Sequence, residues 1–455
     1  MIKVISTNSE GSIKESHEGP FMSTDVASVR EFYLPSFTST LVKAPVIKLH
    51  PDKKRQEVLG FGGAFTDASC YLISRLGRNT RDSLMEEFFS PSGLNFNVGR
   101  LTVAACDFNR TVYSYDDVPG DVELKHFSID NDREYIIPTI NAARRINPDL
   151  FLLSSCWSPP GWMKTGGRMT GGFMHSNYLK PFADYYVRYL EEYAKAGIRI
   201  NALTSQNETE TDQLSLFPAC YWSPELEINF IRDHLVPLLK DKGLDDMEIW
   251  IMDHNYILWN RAKWTLDDAT LKPLVKGVAW HPYGGSEESI DTVHQFHPDV
   301  DAHLTEMGGG WYINENSINV EAKRIIDAMR NWCRSIFAWN LALNEFEQPH
   351  IGNAAFEGPN DGGLVQIHSE TNEIRPGCQL KALAHFSKYV RRGAYCIQSE
   401  CSTGNVSHVA FRNPDGEYVV VIANPGDFTA VSLQLEDRYA QVRIMANTVN
   451  TLIFK

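Results

Sequence analysis

The sequence has no Cys-x-x-Cys pair and no long apolar run, and it is short of positive charge. Its eight cysteines stand scattered at 70, 106, 156, 220, 333, 378, 396 and 401. That spacing excludes a zinc ribbon or a thioredoxin-like motif, and the density is too low for a disulfide scaffold, so free thiols are expected. The longest evident apolar stretch, Tyr418 to Ala423, is strand-sized, which leaves no candidate for an integral membrane segment. The opening Met1-Ile2-Lys3-Val4-Ile5-Ser6-Thr7-Asn8 turns polar too early for a secretory leader, and the expected setting is cytoplasmic. With 57 acidic residues against 43 basic, the net charge is -14, which makes nucleic acid and anionic membranes poor partners. Gly60-Phe61-Gly62-Gly63 lacks the dinucleotide fingerprint, and there is neither a phosphate-binding Walker loop nor a GxSxG elbow. His294-Gln295-Phe296-His297 offers two histidines without a third ligand in view, so neither a metal nor an organic cofactor is expected.

What is present is a long chain of ordinary globular composition. Its 455 residues exceed one core, and 43% hydrophobic with 22% charged residues fits a soluble fold of at least two domains. From Glu57 onward, strand-like runs alternate with helix-like segments. Val58 to Ala64 reads as a strand entering a Gly-rich turn, followed by helices over Ala68 to Leu76 and Arg81 to Phe89. Further strands are read at 97–103, 150–155, 201–205, 248–253, 277–281, 302–306 and 335–340. Helices are read at 132–145, 178–196, 224–240 with a kink at Pro237, 318–331 and 381–390. Eight strands with intervening helices are the order of a (β/α)8 TIM barrel. Beyond it the pattern turns to period two, with Asn413-Pro414-Asp415-Gly416 as a hairpin turn. The expected layout is therefore a catalytic barrel over 51–391 and a β-sandwich side domain over 392–455, with the β-like residues 1–50 packed into that side domain.

In such a barrel the C-terminal ends of the strands converge on one mouth. The fourth strand ends in Gln206-Asn207-Glu208 and the seventh in Thr305-Glu306. Arg100 and Asp107 follow the second, Trp157 the third, Asp253 and His254 the fifth, His281 and Tyr283 the sixth, Trp339 and Asn340 the eighth. Polar or aromatic residues at so many strand ends are not explained by structure alone. Cleaving a glycosidic bond needs an acid to protonate the leaving oxygen and a carboxylate to catch the oxocarbenium-like centre. Glu208 and Glu306, on opposed strands, are candidates for that pair. Glu208 would be protonated at rest in an apolar or anionic surround. Glu306 would be ionised by donors such as Arg100, His281 and Tyr283.

The motifs Gly60-Phe61-Gly62-Gly63-Ala64-Phe65-Thr66-Asp67-Ala68, Cys106-Asp107-Phe108, Trp157-Ser158-Pro159-Pro160-Gly161-Trp162-Met163-Lys164, Gln206-Asn207-Glu208 and Trp339-Asn340-Leu341-Ala342-Leu343-Asn344 occur in this order. Together they resemble glycoside hydrolase family 30, in its glucosylceramidase-like branch, from about residue 57 to the C-terminus. The resemblance implies a (β/α)8 barrel with a β-sandwich side domain built from both termini. It implies Glu208 as acid/base and Glu306 as nucleophile of a retaining, exo-acting β-glucosidase. Arg100, Asp107, Trp157, Asn207, His281, Tyr283 and Trp339 would line the subsite for the cleaved sugar. The substrate would be a small-molecule or oligosaccharide β-glycoside, or a glycolipid. β-Xylosides and β-1,6-glucan are alternatives, as is a catalytically silent carbohydrate-binding scaffold. Two positions depart from the family pattern: Thr209 follows Glu208 where Pro is usual, and a glycine-rich Gly308-Gly309-Gly310 follows Glu306. Tyr221, Trp222 and Trp311 are candidates for the aglycone side. Asn109, Asn207 and Asn405 match the glycosylation sequon, a pattern with little weight when one copy overlaps the candidate catalytic pair.

Overall fold

The computed structural model describes residues 2–18, 22–23, 45–211, 213–309, 316–351, 362–402, 406–427 and 429–455. Eight strands close into a barrel in chain order: Gly60–Phe65, Val98–Thr102, Phe151–Ser155, Ala202–Thr204, Glu248–Asn255, Gly277–His281, Asp301–Leu304 and Cys333–Ala338. Neighbouring strands pair in parallel wherever register is defined, from Gly62 opposite Val98 round to Trp280 opposite Leu304. Each is buried on both faces, which is why the sequence shows short continuous apolar runs rather than alternation.

The glycine-rich stretch is the first barrel strand itself, not a turn after it. A Cβ on Gly62 would stand 1.9 Å from the Val98 carbonyl oxygen, so the close approach of the first two strands requires glycine there. The segment read as one helix over 132–145 is broken into Asp130–Arg133 and Ile136–Ile146. The kink expected at Pro237 takes the form of a wide π turn, Phe230–Leu235, between Pro224–Asn229 and Val236–Asp241. Proline has no N–H to give to the preceding turn, and its ring pushes that turn open.

The chain divides into two compact units. One comprises Phe61–Gly309 and Ser335–Arg375. The other comprises Met1–Gly60, Gly310–Arg334 and Pro376–Lys455. The second holds a ten-stranded sheet with its core of Ile2, Val4, Ile47, Leu49, Val420, Ile422, Leu433, Val442 and Leu452 among others. The termini are sewn together in it: Ile2–Asn8 pairs antiparallel with Thr448–Phe454. Val46–Glu57 pairs antiparallel with Tyr395–Cys401 and parallel with Thr429–Leu435. The hairpin at Asn413–Gly416 joins Ser407–Arg412 to Tyr418–Asn424. Val420 and Ile422 of the latter strand face the sandwich core. Val419 and Val421, on its other face, are equally buried, in a unit where helices Ser317–Arg330 and Cys378–Ser387 pack on this sheet. That double covering accounts for the unbroken apolar run at 418–423. Residues 24–44 of the expected N-terminal β segment lie outside the described residues.

Two histidines of this unit are held neutral. His385 Nδ1 donates to Thr451 Oγ1 at 2.8 Å, since that hydroxyl gives its own proton to the His385 carbonyl at 3.0 Å. Burial pushes His385 down to about 3. Burial, then the Arg330 charge, pushes His408 down to about 4. The unfolded chain accepts these protons below about 6.5 and the fold does not, so their stabilisation is whole above that pH and is lost as pH falls. The melting temperature should therefore drop between pH 7 and pH 4.5 by circular dichroism. His385→Gln, which keeps a neutral donor, should flatten that drop; an unaltered pH dependence would contradict the assignment.

Candidate active site

The site is built on Arg100, whose side chain is 0% exposed in the middle of the second barrel strand. Its Nη1 donates to Glu306 Oε2 at 2.5 Å, and its Nη2 to Asn207 Oδ1 and Asp253 Oδ2, each at 2.8 Å. The guanidinium lies over Trp157 and Trp339, 4.7 and 5.4 Å from their ring centroids. The two indoles stack on each other at 5.0 Å. A planar cation with fixed donors thus sets two carboxylates, one carboxamide and two aromatic walls in place.

Asp253 is the counterpart of Arg100 and is also 0% exposed. The fifth strand reaches it through a bulge, where Ala279 pairs with Met252 but Trp280 pairs with His254. Met252 and Asp253 both have positive φ, 73° and 48°. The bulge turns Asp253 toward the barrel axis while leaving the next residue, His254, at the cavity wall. Asp253 Oδ2 also accepts from Ser155 Oγ and Thr204 Oγ1 at 2.8 Å, and Oδ1 accepts from Thr305 Oγ1 at 2.7 Å. Burial works to raise this carboxyl, but Arg100 and His281 hold it far below the usual aspartate range.

His281 bridges the two halves of the site. Its Nε2 faces Asp253 Oδ1 at 3.1 Å and its Nδ1 faces Glu208 Oε1 at 3.3 Å. Burial would lower the imidazole, but the Glu306 charge and the bonds to Asp253 and Glu208 push it up to about 9. Glu208 has φ 49°, and its backbone N–H donates to the Asp253 carbonyl at 2.9 Å. Its Oε2 accepts from the Gln213 amide, and its Oε1 is 3.7 Å from His254 Nδ1. Burial raises the Glu208 carboxyl, yet the His281 bond and the charges of His254, His281 and Arg100 bring it below the ordinary value. The expectation of a Glu208 carboxyl protonated at rest is thereby corrected: it sits between two imidazoles that hold it below its ordinary value, and His281 is the group pushed up. Glu306 Oε1 accepts from the Tyr283 hydroxyl at 2.9 Å, which itself accepts from the Gly308 N–H at 2.9 Å. Burial, against the pull of His281 and Arg100, leaves the Glu306 carboxyl above the ordinary value.

A cavity of about 440 Å³ opens onto this set, with Asp107, Glu208, His254, Tyr283, Glu306 and Trp339 in its wall. Arg100, Asn207, Trp157 and His281 lie beneath as its support. Asn340 turns away from the cavity; its Oδ1 accepts from Thr66 Oγ1 at 2.7 Å. Of the aglycone candidates, Trp222 is fully buried against Phe182 and Phe230 and is core, a correction to its reading as an aglycone-side residue. Tyr221 packs on Phe173, and Trp311 lies outside the described residues, as does Asn405. Thr209 donates to the Met252 carbonyl at 3.2 Å and so ties the fourth strand end to the bulge.

Several functional positions escaped the sequence reading. Gln213, Phe217, Phe346, Glu347 and His350 line the cavity from loops with no periodicity to mark them. Glu227, buried on a helix, accepts from Ser205 Oγ and the Met252 N–H and pairs with Arg261 at 2.8 Å, bracing both strand ends. The hydroxyls of Ser155, Thr204 and Thr305, each at the end of an apolar run, were the one legible signal of a buried anion between them. Among the described residues, Glu208, His254 and His281 are the group whose ligand atoms, all within 4.8 Å, could hold a metal ion.

Residues 58–390 match the glycosyl hydrolase family 30 TIM-barrel domain, and residues 393–452 the family 30 beta sandwich domain. The chain belongs to glycoside hydrolase family 30. It is 30% identical to the lysosomal acid glucosylceramidase of Mus musculus over 404 residues, 83% of this chain and 77% of that one. It is also 30% identical to an endo-1,6-beta-D-glucanase of Neurospora crassa over 392 residues, 82% of this chain and 80% of that one. The crystal structure of SrfJ from Salmonella typhimurium superposes with a TM-score of 0.88 at 26% identity, with both chains covered in full. Family 30 membership makes the protein a glycosidase acting on a glycoside.

The electrostatics can be measured without substrate. The His281 ring should titrate near 9 by NMR, and lower in Asp253→Asn. The stability that charged His281 confers is complete below about 6.5 and is lost as pH rises through about 9. Asp253→Asn should cost about 3–5 kcal/mol in denaturant unfolding, because it removes one partner of a buried ion pair and leaves Glu306 alone to balance Arg100 and His281. A His281 titrating near its ordinary value, or a neutral substitution, would contradict this geometry.

Proposed function

We propose that the chain is a retaining β-glucosidase of the glucosylceramidase-like kind, acting from the non-reducing end. The observation that carries the reading is the asymmetric setting of two glutamates on one cavity. Glu306 has both oxygens held by Arg100 and Tyr283, while Glu208 shares a proton-bearing contact with His281. The first arrangement fixes a carboxylate in one orientation for attack on the anomeric carbon. The second keeps a proton within 3.3 Å of a carboxylate that must deliver it. When substrate displaces water, Glu208 loses hydration and its affinity for that proton rises. The proton passes from His281 Nδ1 to Glu208 Oε1, and a turn of the carboxyl group then presents it to the leaving oxygen, which takes the place of the Gln213 amide. Glu306 meanwhile forms a bond to the anomeric carbon as the glycosidic bond breaks. Water, giving its proton back to Glu208, then releases the sugar and frees Glu306.

Two features support glucose as the cleaved sugar and a short reach. The curated relatives named above share a glucosyl residue in their stated activities. The cavity, at about 440 Å³, is in the range for a small ligand and suits a terminal sugar with part of its aglycone. A β-1,6-glucanase activity is the second reading, supported by the equal identity to the Neurospora crassa enzyme. The two separate on substrate: a glucosylceramide against a linear β-1,6-glucan.

Proton NMR of an aryl β-glucoside during hydrolysis should show β-glucose first, before mutarotation. Glu306→Gln should lower kcat by about a thousandfold or more, as loss of a covalent nucleophile does. Early α-glucose would mean inversion and would remove Glu306 from the nucleophile's role.

A further inference from the structure

We propose that Glu208, His254 and His281 form a binding site for a divalent transition metal, with Zn²⁺ the best fit, and that the bound ion inhibits the enzyme. Zn²⁺ bonds to nitrogen and carboxylate oxygen are about 2.0–2.2 Å, which puts neighbouring ligand atoms of a tetrahedron roughly 3.3–3.6 Å apart. Glu208 Oε1 lies 3.3 Å from His281 Nδ1 and 3.7 Å from His254 Nδ1. Two edges of the tetrahedron are therefore preformed to within a small side-chain adjustment.

Four further observations point the same way. His254 is 7% exposed, and its Nδ1 makes no hydrogen bond, although it is aimed at Glu208. His281 Nε2 faces Asp253 Oδ1 at 3.1 Å, which is the outer carboxylate–imidazole arrangement that orients a metal-binding histidine by its other nitrogen. Zn²⁺ would replace the proton on Nδ1, which leaves to solvent. The charges at hand are Arg100 and His281 against Asp253, Glu208 and Glu306, a set that is net negative and becomes more so once the His281 proton has left, which favours a cation. The cavity in front of Glu208 leaves room for water as the fourth ligand.

Binding is independent of the glucosidase reading; inhibition rests on it, because the ion would occupy the carboxylate that must carry the proton. Calorimetric titration of the whole metal-free chain with Zn²⁺ tests the first, and aryl β-glucoside hydrolysis with and without Zn²⁺ tests the second. Cys401 is the one described cysteine that is not fully buried, so Cys401→Ser is titrated alongside to remove a competing thiol. One Zn²⁺ per chain is expected in the wild type and in Cys401→Ser, with affinity weakened about tenfold or more in both His254→Ala and His254→Asn. The Co²⁺ form should show visible bands of a nitrogen–oxygen site without a thiolate charge-transfer band. Absence of binding, binding that survives both His254 substitutions, or a thiolate spectrum would each overturn the site. Binding that leaves hydrolysis unslowed would overturn the inhibitory role. A chain that binds Zn²⁺ but cleaves no glucoside would fail the glucosidase reading alone.

Discussion

The ion pair between Arg100 and Asp253 is the contact on which the rest of the site depends. Both side chains are withdrawn from water, and each is saturated with partners on different strands. Two such groups are costly to bury singly and tolerable only together. Their reward is position rather than stability. Arg100 reaches Glu306 just past the seventh strand and Asn207 just past the fourth, and Asp253 orients His281 on the sixth. Through His281 the same pair reaches Glu208. Neither glutamate is set by its own strand alone.

That dependence explains why the fifth strand is irregular. A regular strand would send Asp253 and His254 to opposite faces. The bulge between Ala279 and Trp280 in the sixth strand's pairing brings Asp253 to the axis and His254 to the cavity wall. The positive φ at Met252, Asp253 and Glu208 is concentrated where charge must be aimed, and the Thr209 and Glu227 bonds hold those turns. The proton is correspondingly kept on an imidazole clasped by two carboxylates.

The barrel was legible because its strands are buried on both faces and end in polar residues, a pattern that survives without any neighbour in view. The sandwich was legible at Asn413-Pro414-Asp415-Gly416, where the turn chemistry is local. Glu208 and Glu306 stood out for the same reason, as acids closing apolar runs. What escaped depends on non-local contacts. Gly62 is a strand residue only because Val98 presses on it. Trp222 follows a proposed catalytic strand in sequence yet turns into the core against Phe182 and Phe230. The lowering of the Glu208 carboxyl is not legible either, because residue type says nothing of which imidazole faces it.

In the proposed mechanism an oxygen of Glu306, held by Arg100 and Tyr283, forms the bond to the sugar. The most direct measurement is mass spectrometry of the protein after reaction with a 2-deoxy-2-fluoro-β-glucoside carrying a good leaving group. One added fluoroglucosyl mass per chain is expected, carried by the peptide that contains Glu306 and absent from Glu306→Gln. An adduct on another residue, or turnover of this reagent with no adduct while β-glucosides are hydrolysed, would contradict it.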